Sequence, residues 1–485
     1  MRFDSSSTVK TAYTLGVAVM LVLLAGAVYW YLERTLWTDP AFIAFEVMLE
    51  QKPIISEYRY GAFITQIWPL AGYSVGLPLR AILWLYSVSF YVFYTVVLLL
   101  VGYRWKQYGL GVLLVFYFTL LASDTYFWPN NEVHQAVGWM TLFLGAYRYL
   151  HSRDSFPVYT HFLLVPLALL ALNTHLLVAA PFAFLWVYLA LRDRRWPDRI
   201  DLGYTAVLLA GVGLRYWMSQ DSWYDGYKLR GVKNLSWESF VGSFQSGHAS
   251  RVGELAWPDY GTTLCLFGVG LLYLLLTLQL WRALLTVTAC VLYAGLIFVT
   301  YPASFGRELL FYIESEWQGF ALIAAAPFCL DVLCAVRRPY LVAAVLAVVF
   351  AIRLDRIGDS SIYFERRLAN LAALTESLEI ADYQKVRVGR AEELSPYFGS
   401  LWGLPAETLL YTSLDGPVRG LTVKALGDSE PDAADPGKIF RGDFREVPIN
   451  RIDPEYFRLD TSRVYLRLDS TDRAELVERL VRLPE

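Results

Sequence analysis

For its first 354 positions the chain alternates long apolar runs with short basic turns, and then passes into a mixed, charged sequence. A bilayer core about 30 Å thick takes roughly 20 mainly apolar residues per helix. Runs of that kind fall at about 12–32, 81–102, 108–123, 134–150, 158–172, 175–191, 201–218, 260–280, 283–301, 317–335 and 339–353, so about eleven spans are expected. The first run is long and has no small-residue cleavage site before Glu33, so it reads as an anchor and not as a signal peptide.

Lys and Arg are retained in short cytoplasmic loops. With the N-terminus inside, Arg2 and Lys10, Arg104 and Lys106, Arg148 and Arg153, Arg192 to Arg199, Arg282, and Arg337 with Arg338 all fall on one face. The opposite face receives the long segments 33–80, 219–259 and 302–316, together with everything after Arg353. The stretch Gly61–Leu79 is apolar but broken by Pro69, Pro78 and three glycines, so it reads as interfacial or re-entrant. Two crossings in 158–191 leave little room around Asn173-Thr174-His175, which predicts tilted or broken half-helices.

The tail, 355–485, reads as a separate water-soluble extracytoplasmic α/β domain following the polytopic domain 1–354. Helical spacing at Ile362–Glu379 and Thr471–Leu483, and alternation at Lys385–Val388 and Arg463–Leu468, predict helices and strands respectively. Gly427–Gly437, rich in Asp and Pro, reads as a loop.

Composition sharpens this picture. The 485 residues are 56% hydrophobic and 18% charged, against about 25% charged in soluble chains, and nearly half of the charges lie after Leu354. That excludes a disordered chain, a coiled coil and a disulfide-stapled scaffold. A net charge of -3 gives no footing for nucleic-acid binding. The four cysteines all lie in apolar stretches, where thiols act as small hydrophobes.

Candidate chemistry gathers at the outer ends of the spans, where polar groups face a cavity more often than lipid. Asp39 opens the first outer loop in Trp37-Thr38-Asp39-Pro40, either as the N-cap of an amphipathic helix over Ala41–Glu50 or as a general base that also caps. The second outer loop, Ser123 to His134, holds Asp124, Glu132 and His134, with first-turn helix charge as the bland account of the last two. His175 sits at a hairpin tip, where a satisfied turn histidine is the rival reading. Arg215 lies near a span end, where snorkelling is the rival. Arg307 either binds a phosphate or pairs with Glu308 or Glu314. Carboxylates deprotonate hydroxyls and arginines hold phosphates. No Walker loop, HExxH or nucleophile elbow occurs.

An inside N-terminus, one span, a long outer loop opening with an acid, about eleven spans and an outer α/β domain together resemble the GT-C superfamily of polyprenyl-phosphate-dependent glycosyltransferases. The resemblance covers most of the chain as architecture. It implies a membrane all-α bundle and a catalytic acid at Asp39, with Asp124 and Glu132 as the further acids. Glu46 is the next acid in the first loop, because Pro40 and Ala41 stand where the family often has a second carboxylate. The Trp-Trp-Asp-Tyr-Gly sequence of oligosaccharyltransferases is absent, so a divalent metal has no motif to support it and no cofactor is expected.

The expected activity is transfer of a sugar from a polyprenyl-phosphate donor in the bilayer to an extracytoplasmic hydroxyl on a glycan, lipid or protein. Asp39, Asp124 and Glu132 would be catalytic, and Glu46, His134, His175, Arg215 and Arg307 would bind substrate. The rival is a transporter or assembly subunit that holds a lipid-linked or anionic ligand without turnover. Acids clustered at one rim, and not at midplane in paired broken helices, favour the enzyme. The expected location is a bacterial inner membrane.

Overall fold

The computed structural model describes residues 6–153, 156–194, 197–302, 310–417, 420–426, 435–442 and 445–484. Among the described residues four helices, Ser7–Tyr29, Leu79–Arg104, Leu280–Thr300 and Leu310–Ala335, are long and apolar enough to cross a membrane. Two bent pairs, Val158–Thr174 with Leu176–Arg192 and Gly247–Ala256 with Gly261–Leu276, raise this to six if each pair is one crossing. The chain is a mostly helical membrane protein. Crossings on this count are fewer than the apolar runs of the sequence, partly because some helices are short or bent. The run 108–123 holds only the ten-residue helix Tyr108–Tyr117, and the pair around His175 is bent by 117°. Phe63–Ser74, with Pro69 inside, is twelve residues and so about 18 Å long, well short of a bilayer core.

Leu310–Ala335 is the centre of the bundle: 83% of its apolar window is buried, against 39% for Ser7–Tyr29 and Leu280–Thr300. The exposed faces of those outer helices are apolar, with Leu21, Val22, Leu284 and Leu292 on the surface, which is what a lipid solvent selects. One end of the bundle is closed by ion pairs. Asp331 takes Arg282 and, at 3.5 Å, Arg192, and Arg148 lies 2.7 Å from Asp193. Three of the short basic loops therefore converge on one face.

The last apolar run does not end where charge begins. Pro339–Ile380 is one helix of 42 residues, about 63 Å at 1.5 Å per residue, so the boundary expected at Leu354 falls inside it. Its buried stripe continues without a break through Phe350, Ile357, Phe364, Leu371 and Leu378. Arg353, buried within it, donates to the carbonyls of Thr119 (2.8 Å) and Ala122 (3.2 Å) and to that of Asp259. The first two carbonyls lie beyond the end of Tyr108–Tyr117, where helix hydrogen bonds run out.

The tail forms strands β1 (Lys385–Arg390), β2 (Thr422–Leu426), β3 (Lys438–Gly442), β4 (Arg445–Pro448) and β5 (Leu466–Arg467). The order β2-β1-β5 is parallel, and β3 and β4 form an antiparallel ribbon. Helices Ala391–Phe398 and Leu404–Thr412 connect β1 to β2, the long crossover that a parallel pair requires. Residues 427–434 of the expected loop lie outside the described residues.

The tail is clamped to the loop that follows the first candidate span. Arg367, on the long helix, lies 2.7 Å from Glu407, whose Oε1 accepts from the backbone N–H of Thr38 at 2.6 Å. Arg441 grips both oxygens of Glu46 at 2.7 and 2.8 Å, and Tyr73 donates to Asp453 at 2.7 Å. At the other side of that loop Gly61 is a close approach: a Cβ there would lie 1.8 Å from Thr174 Oγ1. Its carbonyl accepts from Trp139 Nε1 at 3.0 Å, which fixes the loop against the His175 bend.

Candidate functional site

The helix Thr38–Glu50 begins shortly after the C-terminal end of the candidate span Ser7–Tyr29, and Asp39 is its second residue. The residue before the helix is Trp37, which makes no side-chain capping bond. The N-cap reading of Asp39 is thus overturned: Trp37 holds the cap position, and Asp39 lies inside the first turn. Asp39 keeps partial exposure, but the protein surrounds it closely. Burial, followed by the nearby negative charge of Glu132, pushes its pKa up to about 7 against the opposing pull of Arg59 and Lys228.

Glu132 starts its own helix, Glu132–His151, after Asn131 has capped it by accepting from Val133 N–H at 2.9 Å. The carboxylate lies 3.0 Å from Arg59 Nη1. The other arm of Arg59, Nη2, lies 2.8 Å from Asp225, which also holds Arg215. Arg215 donates its remaining arm to the Glu57 carbonyl at 2.9 Å. Burial pulls the Arg59 pKa down, but Glu132 and Asp225 outweigh it and raise it. Burial pushes Asp225 up, while Arg59, His175 and Arg215 overcome this and hold it below the usual carboxylate range. His175 faces the same network: the charges of Arg59, Asp225, Lys228 and Arg215 act on its ring, whose Nδ1 accepts from Leu177 N–H at 3.2 Å.

Beside this network is a cleft of about 550 Å³, lined among others by Tyr224, Lys228, Arg230, Tyr301, Tyr312 and Glu316. Lys228 Nζ lies 4.2 Å from the Tyr224 ring centre and 5.0 Å from that of Tyr301, and it forms no ion pair among the described residues. Its charge reaches both Asp39 and Glu316. The charges of Asp39, Glu316 and Glu132 also act on the hydroxyl of Tyr312, which lines the cleft.

The residues singled out from sequence divide into three groups. Asp39, Glu132, His175 and Arg215 come together around Arg59. Asp124 belongs to a second, fully packed cluster: it accepts from Ser360 Oγ at 2.8 Å and lies beside Glu314, which accepts from Thr125 N–H (2.8 Å), Ser123 N–H (3.0 Å) and Tyr260 Oη (2.8 Å). Glu46 is committed to Arg441, and His134 is enclosed by Tyr117 and Phe118 with Nδ1 2.9 Å from Tyr117 Oη. Arg307 lies outside the described residues.

Sequence reasoning missed Arg59, Asp225 and Lys228. The only local signal is charge interleaved with aromatics, in Glu57-Tyr58-Arg59-Tyr60 and Trp223-Tyr224-Asp225-Gly226-Tyr227-Lys228. Among the described residues no group of three or more His, Cys, Asp or Glu side chains is arranged to hold a metal ion. No family model matches the chain, and neither a curated protein nor a solved structure matches it.

Proposed function

We propose that the protein is an integral membrane glycosyltransferase that moves a sugar from a polyprenyl phosphate to a hydroxyl outside the cytoplasm. The observation that carries this reading is the juxtaposition of Asp39, just past the C-terminal end of the first candidate span, with a cleft holding cations and tyrosines. A carboxyl group poised near neutrality is matched to removing a hydroxyl proton. In the step proposed, Asp39 takes the acceptor proton as the acceptor oxygen bonds to the anomeric carbon. The carbon–oxygen bond to phosphate breaks with inversion, and the phosphate leaves with the electron pair. Lys228 and Arg230 supply positive charge for the departing phosphate. Glu132, paired to Arg59, raises the basicity of Asp39 and is not itself the base.

The test is sugar transfer in proteoliposomes supplied with a pool of lipid-phosphate sugars. Asp39→Asn is expected to lose about 10²-fold or more of the activity, the usual loss on removing a general base. Equal transfer by wild type and Asp39→Asn rejects the assignment. One observation favours the second reading, a ligand-holding subunit without turnover: Glu132 is tied to Arg59, so the acid chemistry rests on Asp39 alone. Ligand binding by the wild type with no donor in the pool consumed decides for that reading.

A further inference from the structure

Glu316 lines the cleft and is only 4% exposed, yet its Oε2 has no hydrogen-bond partner among the described residues. The nearest cationic candidate is His248, whose Nδ1 is 4.0 Å away. Both ring nitrogens of His248 are already engaged: Nδ1 lies 2.9 Å from the Tyr301 carbonyl, and Nε2 accepts from Trp317 Nε1 at 3.1 Å. That arrangement requires the neutral ring protonated on Nδ1. Lys228 approaches Glu316 closely enough for its charge to act, but forms no hydrogen bond to it. A buried acceptor left without a donor is costly, and the partner it lacks is a donor group.

The cleft thus asks for three things in one ligand. The Glu316 Oε2 lacks a donor, Lys228 and Arg230 bring positive charge, and Tyr224, Tyr301 and Tyr312 give the wall its aromatic surface. A bare phosphate or an unglycosylated lipid phosphate offers acceptors but no sugar hydroxyls for Glu316. A glycosyl phosphate satisfies all three: hydroxyls for the carboxylate, the C–H face of the ring for the tyrosines, and phosphate for Lys228.

We propose that Glu316 is the sugar-recognition residue of this cleft, accepting hydrogen bonds from the ring hydroxyls of a glycosyl phosphate whose phosphate rests on Lys228. This rests on the glycosyl-transfer reading and gives it its donor subsite. Glu316 sets specificity by leaving a buried acceptor unpaired whenever the hydroxyl is missing.

The experiment measures binding, so that it stands apart from turnover. Full-chain protein in nanodiscs is titrated with short-chain prenyl phosphates carrying a series of hexoses and pentoses, with the same prenyl phosphate lacking sugar, with hexose 1-phosphates and with inorganic phosphate. At least one glycosylated probe is expected to bind tenfold or more tighter than bare prenyl phosphate. Glu316→Gln and Glu316→Asp should both erase or sharply reduce that preference while bare prenyl phosphate binds as well as before or better. Lys228→Ala should weaken both prenyl phosphates by tenfold or more. Displacement by a hexose 1-phosphate assigns a headgroup that need not be lipid-linked, and displacement by prenyl-linked sugars alone assigns a lipid-linked one; both support the subsite. Preference retained in both Glu316 variants, or no sugar preference in the wild type, overturns it. Asp39→Asn should keep the preference, so loss of transfer and loss of recognition are separable.

Discussion

Arg59 Nη1 lies 3.0 Å from the Glu132 carboxylate, and through this pair the bend around His175, the loop after the first span and the start of Glu132–His151 are held as one unit. The contact partly neutralises Glu132, which would otherwise oppose ionisation of Asp39 still more strongly. Asp225 holds the opposite arm of the same guanidinium.

Removing Arg59 leaves two carboxylates facing each other. Arg59→Gln is expected to cost about 3 kcal/mol, the low end for breaking a buried pair, because Glu132 keeps 22% of its side-chain surface exposed. Thermal melting in detergent measures it. The same variant loses a charge that lowers the Asp39 pKa, so the acid limb of any pH–rate profile should move to higher pH. An unmoved limb would separate Arg59 from Asp39.

The Asp39 pKa of about 7 has a definite consequence for stability. The folded state binds this proton more tightly than the unfolded chain, so stability falls as pH rises from about 4, the ordinary Asp value, towards about 7. Asp39→Asn cannot ionise. It should therefore melt above the wild type at pH 8 and approach it at pH 4, whereas parallel melting curves at both pH values would place Asp39 in water.

Glu407 and Arg367 are both almost wholly buried, at 0% and 2% exposure, and join the tail to the Thr38 amide. Glu407→Ala is expected to cost roughly 3–5 kcal/mol, since the guanidinium is left enclosed and unpaired. Trypsin should then cleave the tail faster than in the wild type. Replacing both residues, by Arg367→Met with Glu407→Leu, should recover part of the loss; a double variant weaker than Glu407→Ala would show that the pair contributes more than mutual compensation.

Topology is open to cysteine labelling in a cysteine-free background. Ser239→Cys and Glu455→Cys should label from outside, and Arg194→Cys only from the cytoplasm. Labelling of position 455 from the cytoplasm would invert the reading and put the proposed site on the wrong face.

Several features were legible in the sequence because their causes are local. An apolar run long enough to cross lipid, a basic turn between two such runs, and a proline-broken stretch such as 61–79 are each set by a window of about twenty residues. The alternation at Lys385–Val388 belongs to the same class and falls within β1. The acids Asp39 and Glu132 were visible too, since each stands where a helix begins.

What brings those acids together was not local. Arg59 meets Asp225 across 166 positions, and Arg441 meets Glu46 across 395. No periodicity links such residues, because the choice of partner is made by helix packing and by the loops that packing brings within reach. Hence Glu46, an attractive acid in sequence, is bound up in a clamp, while Arg59 and Lys228, unremarkable in sequence, face Asp39. The long helix fails to end at Leu354 for a related reason. The change from apolar to charged residues alters the solvent a helix prefers but not its backbone hydrogen bonds, and a buried stripe continuing into the tail keeps Pro339–Ile380 intact. The sequence determined which segments seek lipid and where charge had to stop; only the tertiary structure decided which of the charges left at the rim compensate one another and which remain for a ligand.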